Sequence, residues 1–209
     1  YKVFRVAGLV QRITMQDVKE KLGKLSITNQ YQVNFSILKK TITDYLESIG
    51  IDNTKEFLSR DAGILCSDAS LPASAFATGE VKDNFMGIPQ EFAHTRLYTD
   101  IDFTFYVDQD YTLLRIFEGW MDYIASGADN DGIGLGQAGF YRRFKYPNDY
   151  ECDTMSITKF EKNLGRTLLY EFVNAFPKSI TPIPVTYGTA DLLKVTVSLN
   201  YDRYVVTRS

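Results

Sequence analysis

Histidine occurs once among the 209 residues, tryptophan once and cysteine twice. One imidazole and two thiols are too few for a zinc centre or a disulfide framework. Cys66 and Cys152 are expected to be reduced thiols, as in proteins made in a cytosol, and no cofactor or metal is expected. Lys and Arg together number 23 against 26 Asp and Glu, a net charge of −3, so the broad basic footprint of a nucleic-acid binder is missing. No apolar run approaches the roughly 20 residues of a membrane-spanning helix. No secretory leader pattern opens the chain, and no membrane partner is expected. The first residue is Tyr1, which leaves the natural start open. There is no internal repeat and no low-complexity tract.

What is abundant is aromatic. With 14 Tyr and 14 Phe, 44% hydrophobic and 23% charged residues, the chain has the composition of a folded domain that buries a sizeable core and favours strands. Tyr31–Leu38, Ile101–Val107 and Leu193–Tyr201 alternate an apolar with a polar face, and Thr154–Phe160 reads as a strand. Gly63–Ser70, Phe92–Leu97 and Thr167–Phe176 read as further strands, with Leu71-Pro72 ending the first and Pro177, Pro182 and Pro184 breaking the chain after the last. The polar faces carry Ser, Thr, Asn and Gln, the pattern of an antiparallel sheet wet on one side.

Helices are fewer. Met15–Leu25 is a short candidate weakened by Gly23. Lys39–Ile49, stopped by Gly50, and Thr54–Arg60 interrupt the strands as a helical insertion at about 39–60. The strongest helix runs from about Tyr111 to Ala125, with Asp110 as the expected N-cap and Ser126-Gly127 as the stop. Its apolar stripe holds Leu113, Phe117, Trp120 and Ile124. Residues 1–28 read as an N-terminal extension and residues 29–209 as one β domain containing the insertion.

The chemical motifs fail on context. Gly134, Gly136 and Gly139 have the spacing of a dinucleotide-binding loop, but an acidic loop precedes them and no helix follows. Asp129-Asn130-Asp131 resembles the start of a calcium loop, yet its fifth and twelfth positions are Ile133 and Phe140, neither a ligand. His94 has no grouped carboxylates or thiols and reads as a structural mid-strand residue. No G-x-S-x-G elbow accompanies Ser67 or Ser70. Acid pairs such as Asp100/Asp102 sit beside turns, as solvated faces and caps do. Arg142, Arg143 and Lys145 form a short basic tip. In an acidic chain they suit an acidic neighbour on another subunit better than nucleic acid. No catalytic residue emerges.

Three stretches together resemble the tail tube proteins of contractile-tailed phages. Cys66-Ser-Asp-Ala-Ser-Leu71-Pro72 is similar to their strand ending in a Leu-Pro turn. Phe92–Leu97 with Asp102–Val107 resembles the paired strands that follow. Leu114–Ile124, with Phe117, Trp120 and Met121, resembles their amphipathic helix, and Leu193–Tyr201 their terminal strand. The resemblance covers about residues 29–38 and 62–206. It implies a mainly β (α+β) fold, an antiparallel β-sandwich or split barrel with a flanking helix. It also implies a non-enzymatic virion protein that forms hexameric rings of the inner tail tube, stacks them, meets sheath and baseplate proteins, and passes genomic DNA without reading it. Assembly would take place in the host cytoplasm. If the ring closes, Thr104, Thr196 and Ser198 are candidates for the lumen face, and Arg142, Arg143 and Lys145 for contacts between subunits. A baseplate protein that starts the tube shares these features. A secreted β-rich binding module or pore-former shares the alternating strands but not the amphipathic helix.

Overall fold

The computed structural model describes residues 15–22, 25–26, 28–82, 87, 89–125, 144–161, 167–183, 185, 187–188 and 191–208. Nine strands lie among them: β1 (Tyr31–Ile37), β2 (Cys66–Ala69), β3 (Ser74–Val81), β4 (Gln90–Tyr98), β5 (Ile101–Tyr106), β6 (Cys152–Phe160), β7 (Thr167–Ile180), β8 (Lys194–Asn200) and β9 (Arg203–Arg208). Seven form one antiparallel sheet in the order β1-β6-β7-β8-β5-β2, with β9 on the other flank of β7. The sheet does not close into a barrel. β3 and β4 pair only with each other.

β7 organises the sheet. Its first half pairs with β6 and β9, and its last residues, Phe176–Ile180, pair with β8. The strand turns at Asn174, whose φ of 59° is left-handed, a conformation Asn tolerates better than other side-chain-bearing residues. The Asn174 amide donates to Asp202 Oδ2 at 2.7 Å, and the Asp202 N–H donates to the Val173 carbonyl at 3.1 Å. β8 and β9 flank this bend on one partner strand, joined only by Tyr201 and Asp202. Two half-sheets result, and their apolar faces meet. Phe35 of β1 lies 6.3 Å from both Phe103 and Phe105 of β5, centroid to centroid.

The core is completed by helix α5 (Thr112–Ala125). Phe117 stacks beside Phe35 and Phe105, and Trp120 is buried with its Nε1 donating to the Tyr150 carbonyl at 2.8 Å. Helix α2 (Lys40–Ser48) crosses α5 at Gly119. A Cβ there would stand 2.6 Å from Leu46 Cδ2, so glycine permits the close approach. Gly50, with φ of 81°, ends the turn after α2. The remaining helices are α1 (Met15–Leu22), α3 (Thr54–Glu56) continued by a π-helical turn (Phe57–Asp61), α4 (Ala62–Leu65) and α6 (Pro147–Tyr150).

Several expectations are corrected. Gly63–Leu65 is helical, and the strand begins only at Cys66. The helical insertion therefore runs to Leu65 and lies over the outer edge of β1, where a Gly63 Cβ would be 2.4 Å from the Val33 carbonyl oxygen. Phe92–Leu97 does not pair with Ile101–Val107. Its partner is β3, while β5 lies between β2 and β8. Pro177 does not break the chain: it sits inside β7, where it faces Leu199 and is buried. The N-cap of α5 is not Asp110; the carboxylate that takes the Thr112 N–H, at 2.9 Å, belongs to Asp108.

Candidate functional site

Pairing in β5 and β8 decides which side chains share a face. Ile101, Phe103 and Phe105 lie opposite Leu199, Val197 and Val195, and all six are buried. The alternate positions therefore point outward, where Thr104 faces Thr196 and Asp102 faces Ser198. The two threonine hydroxyls are 3.0 Å apart, and Ser67 Oγ donates to the Thr104 carbonyl at 3.1 Å. Farther along, Lys194 Nζ lies 4.9 Å above the Tyr106 ring. Thus the three residues singled out by alternation, Thr104, Thr196 and Ser198, share one polar face on the side away from the core.

Beyond this face the ribbon continues as an arm. β2 leads into β3 through Ser70–Ala73, and β4 leads into β5 through Thr99–Asp100. In the arm, Phe76 is 62% and Phe92 53% exposed, and Leu97 and Val81 are also open to solvent. His94 is exposed at a bulge, where Ala77 pairs with Thr95 and Thr78 with Ala93. Its Nδ1 meets Thr95 Oγ1 at 2.7 Å. The expected structural strand position is thus a twist-inducing irregularity on a solvated ribbon. Phe92 lies across Gly79, where an added Cβ would come within 2.9 Å of the ring.

The foot of the arm is held on two sides. Asp100 accepts hydrogen bonds from Lys178 and from Asn200, the latter at 2.8 Å, and these donors hold its carboxyl below its ordinary pKa. On the other side the Arg96 guanidinium lies 5.1 Å from the Tyr98 ring centre and 5.4 Å from that of Tyr204. Arg96 Nη2 donates to Ser74 Oγ at 3.2 Å and to the Tyr204 hydroxyl at 3.3 Å.

Titratable groups elsewhere do not converge. Among the described residues no three His, Cys, Asp or Glu side chains group as metal ligands. No described helix is long and apolar enough to cross a membrane. Cys66 and Cys152 form no disulfide and are buried, and burial pushes the Cys66 thiol up to about 11, away from nucleophilic use. A groove of about 740 Å³ runs beside Tyr31, Cys66, Arg60 and Asp68. The Tyr31 hydroxyl donates across it to the Cys66 carbonyl at 3.0 Å. Burial raises the Tyr31 pKa and keeps that hydroxyl a donor. Glu151 is buried, and its carboxyl is raised by desolvation and by Asp202, with Lys39 opposing. Lys145 sits 4.2 Å from the Tyr123 ring of its own chain. Arg142 and Arg143, the glycine-spaced motif and the Asp129–Asp131 loop lie outside the described residues.

The family described as phage tail tube protein matches residues 26–207. A cryo-EM structure of the anti-feeding prophage tube-terminating cap superposes with a TM-score of 0.55 at 14% identity, covering 97% of this chain and 99% of that one. The sheath–tube complex of the extracellular contractile injection system PVC, in its extended state, gives 0.50 at 13% identity, covering 94% and 99%. No curated protein sequence matches.

Proposed function

The chain belongs to the phage tail tube protein family, and from that we propose that it is a ring-forming structural subunit of a contractile tail. Six copies close head to tail, the rings stack, and the outward polar face of β5 and β8 lines the channel. The observation that carries self-association is the arm. Two strands of eight and nine residues hold Phe76, Phe92 and Leu97 in water and pack on no core of their own. Closing a ring removes such open edges and apolar faces together. Thr104, Thr196 and Ser198 support the channel assignment, because neutral hydroxyls offer no cationic grip to phosphate and leave genomic DNA free to slide through. Arg142 and Arg143 remain candidates for contacts between subunits. Lys145 is already engaged with Tyr123 in its own chain. Sheath and baseplate proteins are the expected partners and the virion the expected location, after assembly in the host cytoplasm. The subunit works by assembly and needs no catalytic centre.

Electron microscopy of the purified protein tests this: six-fold rings or stacked tubes are expected. A strictly monomeric particle, even with sheath and baseplate partners supplied, would overturn it. The likeness to a tube-terminating cap over nearly the whole chain favours a second reading, in which the protein forms one ring at an end of the tube. A ring at the baseplate end, which starts the tube, is the mirror case. Either would show isolated rings that refuse to stack.

A further inference from the structure

The arm and the main sheet are one ribbon interrupted twice, at Ser70–Ala73 and at Thr99–Asp100. Across that level only two backbone bonds remain, from the Ser70 N–H to the Asp102 carbonyl at 3.2 Å and from the Thr99 N–H to the Ala73 carbonyl at 3.5 Å, so the angle of the ribbon is set largely by side chains. On the face toward β9 these are Tyr98, whose ring meets those of Tyr201 and Tyr204 at 6.1 and 5.4 Å, and Arg96. Its guanidinium is shared between the Tyr98 ring of the arm and the Tyr204 ring of β9, and its donors reach Ser74 Oγ on the arm and the Tyr204 hydroxyl on the body. The Tyr204 hydroxyl also donates to Ser74 Oγ at 3.3 Å, closing the cluster. A planar cation set against two rings that meet edge to face, and forked to two oxygens, defines an angle, which a single surface ion pair does not.

We propose that Arg96 is a positioning residue: it locks the angle between arm and main sheet, and so presents the apolar residues of the arm in one orientation to a second copy of this chain. The inference rests on the self-assembly reading above. The occupant is a second copy because the chain carries a surface of matching kind. β9 has an unpaired second edge among the described strands and holds Val205 and Val206 in solvent, 47% and 44% exposed. Two different, complementary surfaces on one chain are what a head-to-tail ring requires.

The test separates the clamp from the assembly. Spin labels at Val81→Cys on the arm and Glu118→Cys on α5 report the arm angle in dilute monomer, since the buried Cys66 and Cys152 are spared. Unlabelled protein reports assembly by sedimentation. The wild-type background should give one narrow distance. Arg96→Ala should broaden it, with the ratio of clamped to free arm falling about two- to fivefold, the size expected for the one exposed cation–π contact, to Tyr204, that crosses from arm to body. Arg96→Lys should fall between. Assembly should weaken in the same order while the melting temperature stays put. A narrow distance in Arg96→Ala, or a broad one with normal assembly, overturns the proposal. Were wild-type protein itself never to assemble, the docking half would fall with the tube reading, and the distance measurement would still decide the clamp.

Discussion

At the scale of single residues the two perturbed carboxyls act in opposite directions. Asp100 has a lowered folded pKa because Lys178 and Asn200 donate to its ionised form. Its contribution is present above the unfolded value, about 3.9, and is lost as pH falls through the folded value. Asp100→Asn should therefore cost up to about 1 kcal/mol at pH 7, the range for exposed pairs, and the deficit should shrink in acid when urea midpoints are compared. Glu151 has a raised folded pKa because burial disfavours its charge. It favours the fold below the unfolded value, about 4.3, and that contribution is lost as pH rises through the folded value. Glu151→Gln should gain on the wild type as pH rises from 4 to 7 in the same titration. The alternation of Leu193–Tyr201 and Ile101–Val107 was enough to place Thr104, Thr196 and Ser198 on one face, because strand periodicity is a local property. That the two threonine hydroxyls meet, and that Arg96 meets Tyr204, depends on pairings 92 and 108 residues apart, which no local pattern encodes.

At the scale of elements, two glycines make contrasting cases. Gly63 lies against the backbone of β1, 2.4 Å from where its Cβ would meet the Val33 carbonyl oxygen, and a carbonyl of an edge strand cannot rotate away. Gly119 faces the methyl ends of Leu46, Ile49 and Ile51. Both alanine substitutions overpack the core, which typically costs about 1–3 kcal/mol. Gly63→Ala should fall at the upper end and Gly119→Ala at the lower, as read by thermal unfolding; equal costs would contradict this account of the helix-covered edge. The elements legible in the sequence were β1, β5, β6, β8, α2 and α5, each with one apolar face, together with β4 and the first ten residues of β7. The arm strand Ser74–Val81 escaped notice because both its faces are wet, so SAFATGEV has no period to show. β9 escaped because Val205 and Val206 are adjacent rather than alternate. The sequence also put strand where α4 lies, since four helical residues run into β2 without a loop.

At the scale of the whole molecule, the polar face makes the channel assignment testable through charge. Thr196→Lys lies outside the core and gives up the hydroxyl contact with Thr104, so it should cost about 1 kcal/mol of monomer stability. If the face lines a channel, assembled tubes of this variant should retain short duplex DNA at low salt and release it as salt rises, while wild-type tubes retain none. Equal, negligible retention by both would place the face elsewhere. β7 is a single 14-residue strand whose two ends belong to different half-sheets, turned at Asn174. A pull along its axis loads the transverse hydrogen bonds to β6, β9 and β8 side by side, in shear, so none can yield alone. The shared strand acts as a tension member, and the Asn174–Asp202 clip, at the corner where the direction of load changes, is where mechanical failure would begin.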